Sequence, residues 1–205
     1  EVSGLDAYQL IFINGVFVSE LSDEIAESGV SVTPLSIAND AQRALFKEHV
    51  GNIAETRRNL FTALNNATVE EGVLLHVEKN VQLKKPIQVV NITSAQGQTS
   101  SAFSRCLVVL EQQAEATLIE QFVSTDEQQN ILLNQVTEIQ IGDSAKLNHY
   151  RLHTEDESSL HFGGLYVDLN RASQFESYQI ALGGKIKRLD VLVNHNQSGS
   201  HCEMK

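Results

Sequence analysis

A chain of 205 residues with a formal net charge of −11, 41% hydrophobic residues and two cysteines is long enough for one large domain. A chain of that size buries about 70% of its unfolded surface and needs neither disulfide nor metal to fold. Its acidity argues against nucleic acid or an anionic membrane as a partner, since both would repel it at long range, and no apolar run approaches the roughly 18 residues of a membrane-spanning helix.

The first residues, Glu1-Val-Ser-Gly-Leu-Asp, show no basic segment followed by an apolar core, so no secretory leader is expected. Tyr8-Gln-Leu-Ile-Phe-Ile and Val16-Phe-Val-Ser-Glu-Leu flank Asn14-Gly15, which predicts a hairpin, because a type I′ turn needs positive φ at both central residues. A polar, acidic connection runs from Ser22 to Thr33, followed by Pro34. From Ser36 to Thr68 the apolar spacing turns helical. Asn39-Asp40 precede a first helix stopped at Gly51, and Asn52 with Glu55 is shaped like a capping box for a second. Leu60, Phe61, Leu64 and Ala67 then share one face of that second helix. The two helices are expected to pack on the hairpin and to cover the first coil of the strand-rich remainder.

From Gly72 to Lys205 the chain reads as strand after short strand, each ended by a small or polar corner. Aligning Val81, Ala116, Ala145, Ser173 and Ser200 gives steps of 35, 29, 28 and 27 residues. A repeat settling near 28 residues, all strand and turn, is what a β-solenoid writes, since no single repeat can bury its own apolar surface. An antiparallel sandwich is the alternative, its strands also recurring at short intervals. Pro86, between Val81-Gln-Leu and Ile87-Gln-Val-Val, suits a solenoid corner better than a central antiparallel strand. Polar loops are expected at residues 95–104, 125–130 and 154–159. The chain thus divides into 1–70, a hairpin and helical region, and 71–205, a β-helical core.

No HExxH, GxGxxG, GxxxxGK[ST] or GxSxG occurs, and Gly183-Gly-Lys-Ile-Lys reads as a tight turn. Lys84-Lys85 and Lys185-Ile-Lys-Arg188 read as small solvated edges, and His49 as a cation near a helix end. Cys106 and Cys202 form no CxxC pair, which fits a reducing compartment and a cytoplasmic location. Five histidines, His149, His153, His161, His195 and His201, crowd the last third. His149, Arg151 and His153 alternate with Tyr150 and Leu152, so on a strand the polar set faces away from the apolar pair. Stacked coils would bring His195 or His201-Cys202 near another coil's polar row, and imidazole and thiolate suit zinc, copper or iron. No pair has structural-zinc spacing, however, and no metal, cofactor or catalytic residue is assigned. Glu111, Glu115, Glu120, Glu138, Asp168 and Glu176 offer no preferred acid/base pair and read as solubilising charges.

Several ordered phrases carry a resemblance. Ala114-Glu-Ala-Thr-Leu-Ile-Glu-Gln-Phe-Val-Ser, Ser144-Ala-Lys-Leu-Asn-His-Tyr-Arg-Leu, Leu182-Gly-Gly-Lys-Ile-Lys-Arg-Leu-Asp and the entry Asp6-Ala-Tyr-Gln-Leu-Ile-Phe-Ile-Asn-Gly-Val-Phe-Val resemble the SufB/SufD family of iron–sulfur cluster assembly, on the SufD side. The resemblance implies a mainly β fold, a right-handed parallel β-helix behind a small N-terminal region. It also implies a non-catalytic scaffold that works with a SufB-like subunit and a SufC-like ATPase and is linked to iron supply. Iron or a cluster would then be carried only in the full complex. The chain covers roughly half of a typical member, so the family's later Cys/His segment and ATPase-docking helices have no counterpart and no ligand is carried over. An open last coil would offer a route to a homodimer. Two other functions stand beside this one: a carbohydrate-active β-helix enzyme, and a plain oligomerising interaction module.

Overall fold

The computed structural model describes residues 4–54, 59–69, 71–94, 100–125 and 130–205. In chain order the elements are β1 (Tyr8–Ile13), β2 (Val16–Phe17), β3 (Val30–Pro34), α1 (Asp40–His49), α2 (Leu60–Thr68), β4 (Glu71–Val77), β5 (Ile87–Thr93), β6 (Ser100–Leu110), β7 (Glu115–Ser124), β8 (Ile131–Ile141), β9 (Lys146–Thr154), β10 (Leu160–Leu169), β11 (Gln174–Ala181), β12 (Ile186–His195) and β13 (His201–Met204).

From β4 onward successive strands alternate between two sheets, ordered β13-β11-β9-β7-β5-β1-β2 and β12-β10-β8-β6-β4-β3. Every pairing among β4 to β13 is parallel, which makes a solenoid and excludes the antiparallel sandwich. The register gives the coil lengths: Glu71 lies against Ser104, Ser100 against Ile131, Leu132 against Leu160 and Leu160 against Ile186, steps of 33, 31, 28 and 26 residues.

One corner of each coil is tight and holds a residue in the left-handed region. Asn80, Gln113, Ser144, Ala172 and Gly199 have φ of 62, 60, 57, 54 and 76°. Their amides continue the ladder from coil to coil, Gln113 N to Asp143 O at 2.9 Å and Ser144 N to Arg171 O at 2.8 Å among them. The small buried residue after each turn is Ala114, Ala145 and Ser173 in three successive coils. The alignment from sequence is therefore corrected at Ala116, which sits two residues further on, inside β7. Corner side chains there must be small because the backbone reverses over the apolar end of the interior, where Leu110, Ile141, Leu147, Leu169 and Phe175 are fully buried.

The Asn14-Gly15 turn forms as expected, with φ of 50 and 81°, and joins β1 to β2. β1 runs parallel to β5, whereas β3 pairs antiparallel with β4 inside the stretch read from sequence as a polar connection. These strands, rather than the helices, cover the first coil. The helices lie on the outer face of the β4-to-β12 sheet: Leu45, Phe46 and Val50 pack on Leu74, Leu107 and Val109, and Phe61 stacks on Phe162 with ring centroids 3.9 Å apart.

Helix α1 starts at an Asn39–Gln42 capping box, while α2 is capped by Asn59, whose side chain accepts from the amides of Phe61 and Thr62. Asn52 is not a cap; its amide donates to the Glu48 carbonyl, and Glu55 lies outside the described residues. The α2 face that turns inward carries Thr62 and Asn65, with Leu60 left 78% exposed, because the strands beneath offer polar partners rather than an apolar groove. Of the expected loops, 155–159 is a turn between β9 and β10, Ser100 to Ser104 belong to β6, and 95–99 and 126–129 lie outside the described residues. Pro86 sits at a corner immediately before β5 and accepts from the Tyr8 amide at 2.8 Å.

Candidate functional site

The interior of the solenoid is zoned. Toward the tight corners it is apolar, while toward the opposite corners it is lined with ionisable groups. Strand alternation sends His149, Arg151 and His153 inward and Tyr150 outward. The polar set is thus the buried one.

Glu120, on β7, is the hub of a network that bridges the two sheets. One carboxylate oxygen accepts from Gln135 Nε2 at 2.7 Å and Thr137 Oγ1 at 2.8 Å, both on β8. The other meets His149 Nε2 at 2.8 Å, Arg151 Nη2 at 2.7 Å and Arg151 Nε at 3.1 Å. Arg151 Nη2 also donates to Thr137 Oγ1 at 2.6 Å, and His149 Nδ1 lies 3.0 Å from Ser177 Oγ. Burial by itself would raise the Glu120 pKa, but the Arg151 guanidinium and the His149 hydrogen bond bring it well below the usual carboxylate range. Burial lowers the pKa of His149, so its ring is neutral at pH 7. Cys106, beside this network, has its thiol pushed up by burial and by the Glu120 charge, which suits packing rather than reactivity.

A second cluster lies where β9, β10 and β12 meet the corner at 155–159. Glu155 Oε1 is 2.5 Å from His161 Nδ1 and 3.4 Å from His153 Nδ1, and its other oxygen pairs with Lys187. The rings of His153 and His161 meet edge to face with centroids 4.6 Å apart, and Phe122 packs against both. Burial pushes His153 down to about 4, and lowers His161 as well. The same burial would raise Glu155, but the two imidazoles hold it below its ordinary value. Lys187, read from sequence as a solvated edge, is largely covered by this cluster.

A third ionic group lies on the outer face, under the helices. Arg105 pairs with Glu138, both fully buried, and also donates to Asn65 Oδ1 at 2.9 Å and Asn66 Oδ1 at 2.6 Å. Glu138 in turn accepts from the backbone amides of Gly51 at 2.9 Å, Ile53 at 3.2 Å and Ala54 at 2.9 Å. The helical segment is thereby pinned to the solenoid through a carboxylate. Glu120 and Glu138 are therefore structural ions, not the solubilising charges their acidic context suggested.

The remaining sequence candidates are dispersed. Glu111 pairs with His76 at 2.9 Å, Glu176 with Lys146 at 3.4 Å, and Asp168 accepts from Asn194 at 2.8 Å. His195 bonds Ser200 Oγ at 2.7 Å, exposed like His201, and neither reaches the buried histidines. Cys202 packs against the core and Cys106 is buried; both thiols are free. Gly183 and Gly184, with φ of 71 and 81°, make the tight turn between β11 and β12. Glu155 was missed because it sits in a corner read as a polar loop; its spacing from His153 and His161 was the available signal.

Comparison with known proteins places this architecture. The model of the SufBD protein N-terminal region matches residues 1–89, and that of the SUF system FeS cluster assembly SufBD core domain matches residues 91–205. An iron–sulfur cluster assembly SufBD family protein of Synechocystis is 26% identical over 204 residues, 95% of this chain and 45% of that protein. The iron–sulfur cluster assembly protein SufD of Escherichia coli is 28% identical over 198 residues, 96% of this chain and 44% of that protein. SufD of Bacillus subtilis is 28% identical over 130 residues, 63% of this chain and 29% of that protein. The chain spans less than half the length of these curated relatives.

Proposed function

The chain belongs to the SufBD family of iron–sulfur cluster assembly proteins, and on that premise we propose that it serves as part of a non-catalytic scaffold subunit working with a SufB-like subunit and a SufC-like ATPase in the cytoplasm. The observation that carries this reading is the order of the two family matches, the first over the hairpin, the helices and β4, the second over the solenoid from β5 onward. Buried ion pairs add support. Glu120 and Glu138 are each clamped by an arginine and lie on opposite sides of the sheet that contains β8, an arrangement suited to stiffness. It does not suit the facing acid and base that glycan cleavage requires. In this reading iron and the nascent cluster are cargo of the assembled complex, and a stiff β-helix supplies the lever against which an ATPase works.

Co-expression of the full-length protein with a SufB-like subunit and a SufC-like ATPase tests the proposal. One complex containing all three is the expected product on affinity capture and gel filtration. A stable monomer indifferent to both partners, or release of reducing sugars from polysaccharide, would overturn it.

A further inference from the structure

We propose that His153, Glu155 and His161 hold a divalent transition-metal ion inside the solenoid, a site that stands on geometry alone and does not depend on the scaffold reading. The three residues each offer a donor atom, and these atoms all lie within 4.8 Å of one another. All three residues are buried. The three donors converge on one point: Glu155 Oε1 lies 2.5 Å from His161 Nδ1 and 3.4 Å from His153 Nδ1, so an ion taking the place of the bridging protons meets one carboxylate oxygen and two imidazole nitrogens.

Beside the cluster lies a cavity of about 160 Å³ lined by His153, His161, Gln179 and Lys187 among others. That is room for a metal's water ligands, and the buried Gln179 Nε2, which has no hydrogen-bond partner among the described residues, supplies a donor for one of them. Two imidazoles and one carboxylate select zinc, cobalt or ferrous iron over calcium and magnesium, which prefer all-oxygen sites, and over cuprous ion, which prefers thiolate. Lys187 pairs with the Glu155 oxygen that faces away from the histidines, so it neutralises the carboxylate in the metal-free protein without occupying the space between the rings.

The test is titration of chelator-treated protein with Co(II), followed by its visible d–d absorption, and with Zn(II) by calorimetry. One ion per chain is expected, with X-ray absorption of the Co(II) protein showing two imidazole nitrogens. His161→Ala and Glu155→Gln are expected to weaken Co(II) binding on the order of 100-fold or more, beyond the loss caused by an outer-shell change. Lys187→Met, which removes a competing charge and keeps the stem, is expected to tighten it by roughly 10-fold. His195→Ala is the control and leaves binding unchanged. Absence of d–d absorption in the wild-type protein, a spectrum without imidazole ligands, or binding that survives His161→Ala but is lost in His195→Ala would each overturn the site. The first two need no variant to fold.

Discussion

Replacing Arg151 with methionine tests what holds the interior together. The substitution keeps the apolar stem but removes two charge-assisted hydrogen bonds to Glu120, at 2.7 and 3.1 Å, and one to Thr137 at 2.6 Å. Glu120 is left fully buried with His149, Gln135 and Thr137 but no counter-charge. Breaking a buried pair from one side costs about 3–5 kcal/mol, most of it from the stranded ion. Glu120→Gln strands Arg151 instead and is expected to cost a similar amount. The double variant strands nothing, so its cost should fall below the sum of the singles by at least about 2 kcal/mol. Urea unfolding at pH 7, with m held common, measures all four corners of the cycle.

The cycle also has a sign in pH. In the wild type Glu120 has a depressed pKa, so its contribution is present above the unfolded carboxylate value and lost only as pH falls through the folded one. In Arg151→Met burial dominates and the pKa rises above the unfolded value. That variant is then most stable below the unfolded value and weakens as pH climbs through the raised one. The gap between the two proteins must widen from acid to neutral pH. A cost below about 1 kcal/mol at pH 7, strictly additive variants or a gap that narrows with pH would refute the reasoning.

Other parts of the fold make three further outcomes testable. Glu138→Gln weakens the carboxylate that three backbone amides share, so hydrogen exchange should quicken at Gly51, Ile53 and Ala54 while the β8 amides stay protected; uniform quickening would contradict the pinning role. Gly72→Ala places a Cβ 2.5 Å from the Arg105 backbone carbonyl oxygen, which only a shift of β4 against β6 relieves, and should cost about 1–3 kcal/mol in thermal or urea unfolding. Ala172→Gly removes the left-handed penalty at a corner whose φ is 54°, and should stabilise by about 0.5–1 kcal/mol after the entropy of glycine is set against it; a destabilised variant would show that the methyl group matters more than the dihedral.

The solenoid was legible because its repeat is a property of spacing, and spacing is what a single sequence preserves. The hairpin was legible because Asn14-Gly15 leaves few other conformations. β3 escaped notice, since Val30-Ser-Val-Thr lies within an acidic stretch and owes its strand state to pairing with β4. The face of α2 was misjudged for a related reason. Helical periodicity finds apolar stripes, but this helix turns Thr62 and Asn65 inward to meet Tyr166 and the carbonyls of Ser104 and Asn134. The polar interior was only half visible. Alternation showed that His149, Arg151 and His153 share a face, but whether that face meets water or the opposite sheet depends on Glu120, Thr137 and Glu155, which come from other coils or a corner.

The way the first coil is finished has a consequence for assembly. β2 is two residues long and β3 runs against its neighbour and ends in Pro34, which has no amide hydrogen to give. A parallel ribbon propagates by handing its main-chain register to the next strand, and at this end the template is scrambled. A further strand arriving at this end would meet a two-residue strip and an antiparallel neighbour instead of a parallel edge, so the coil-to-coil ladder is not extended in kind there.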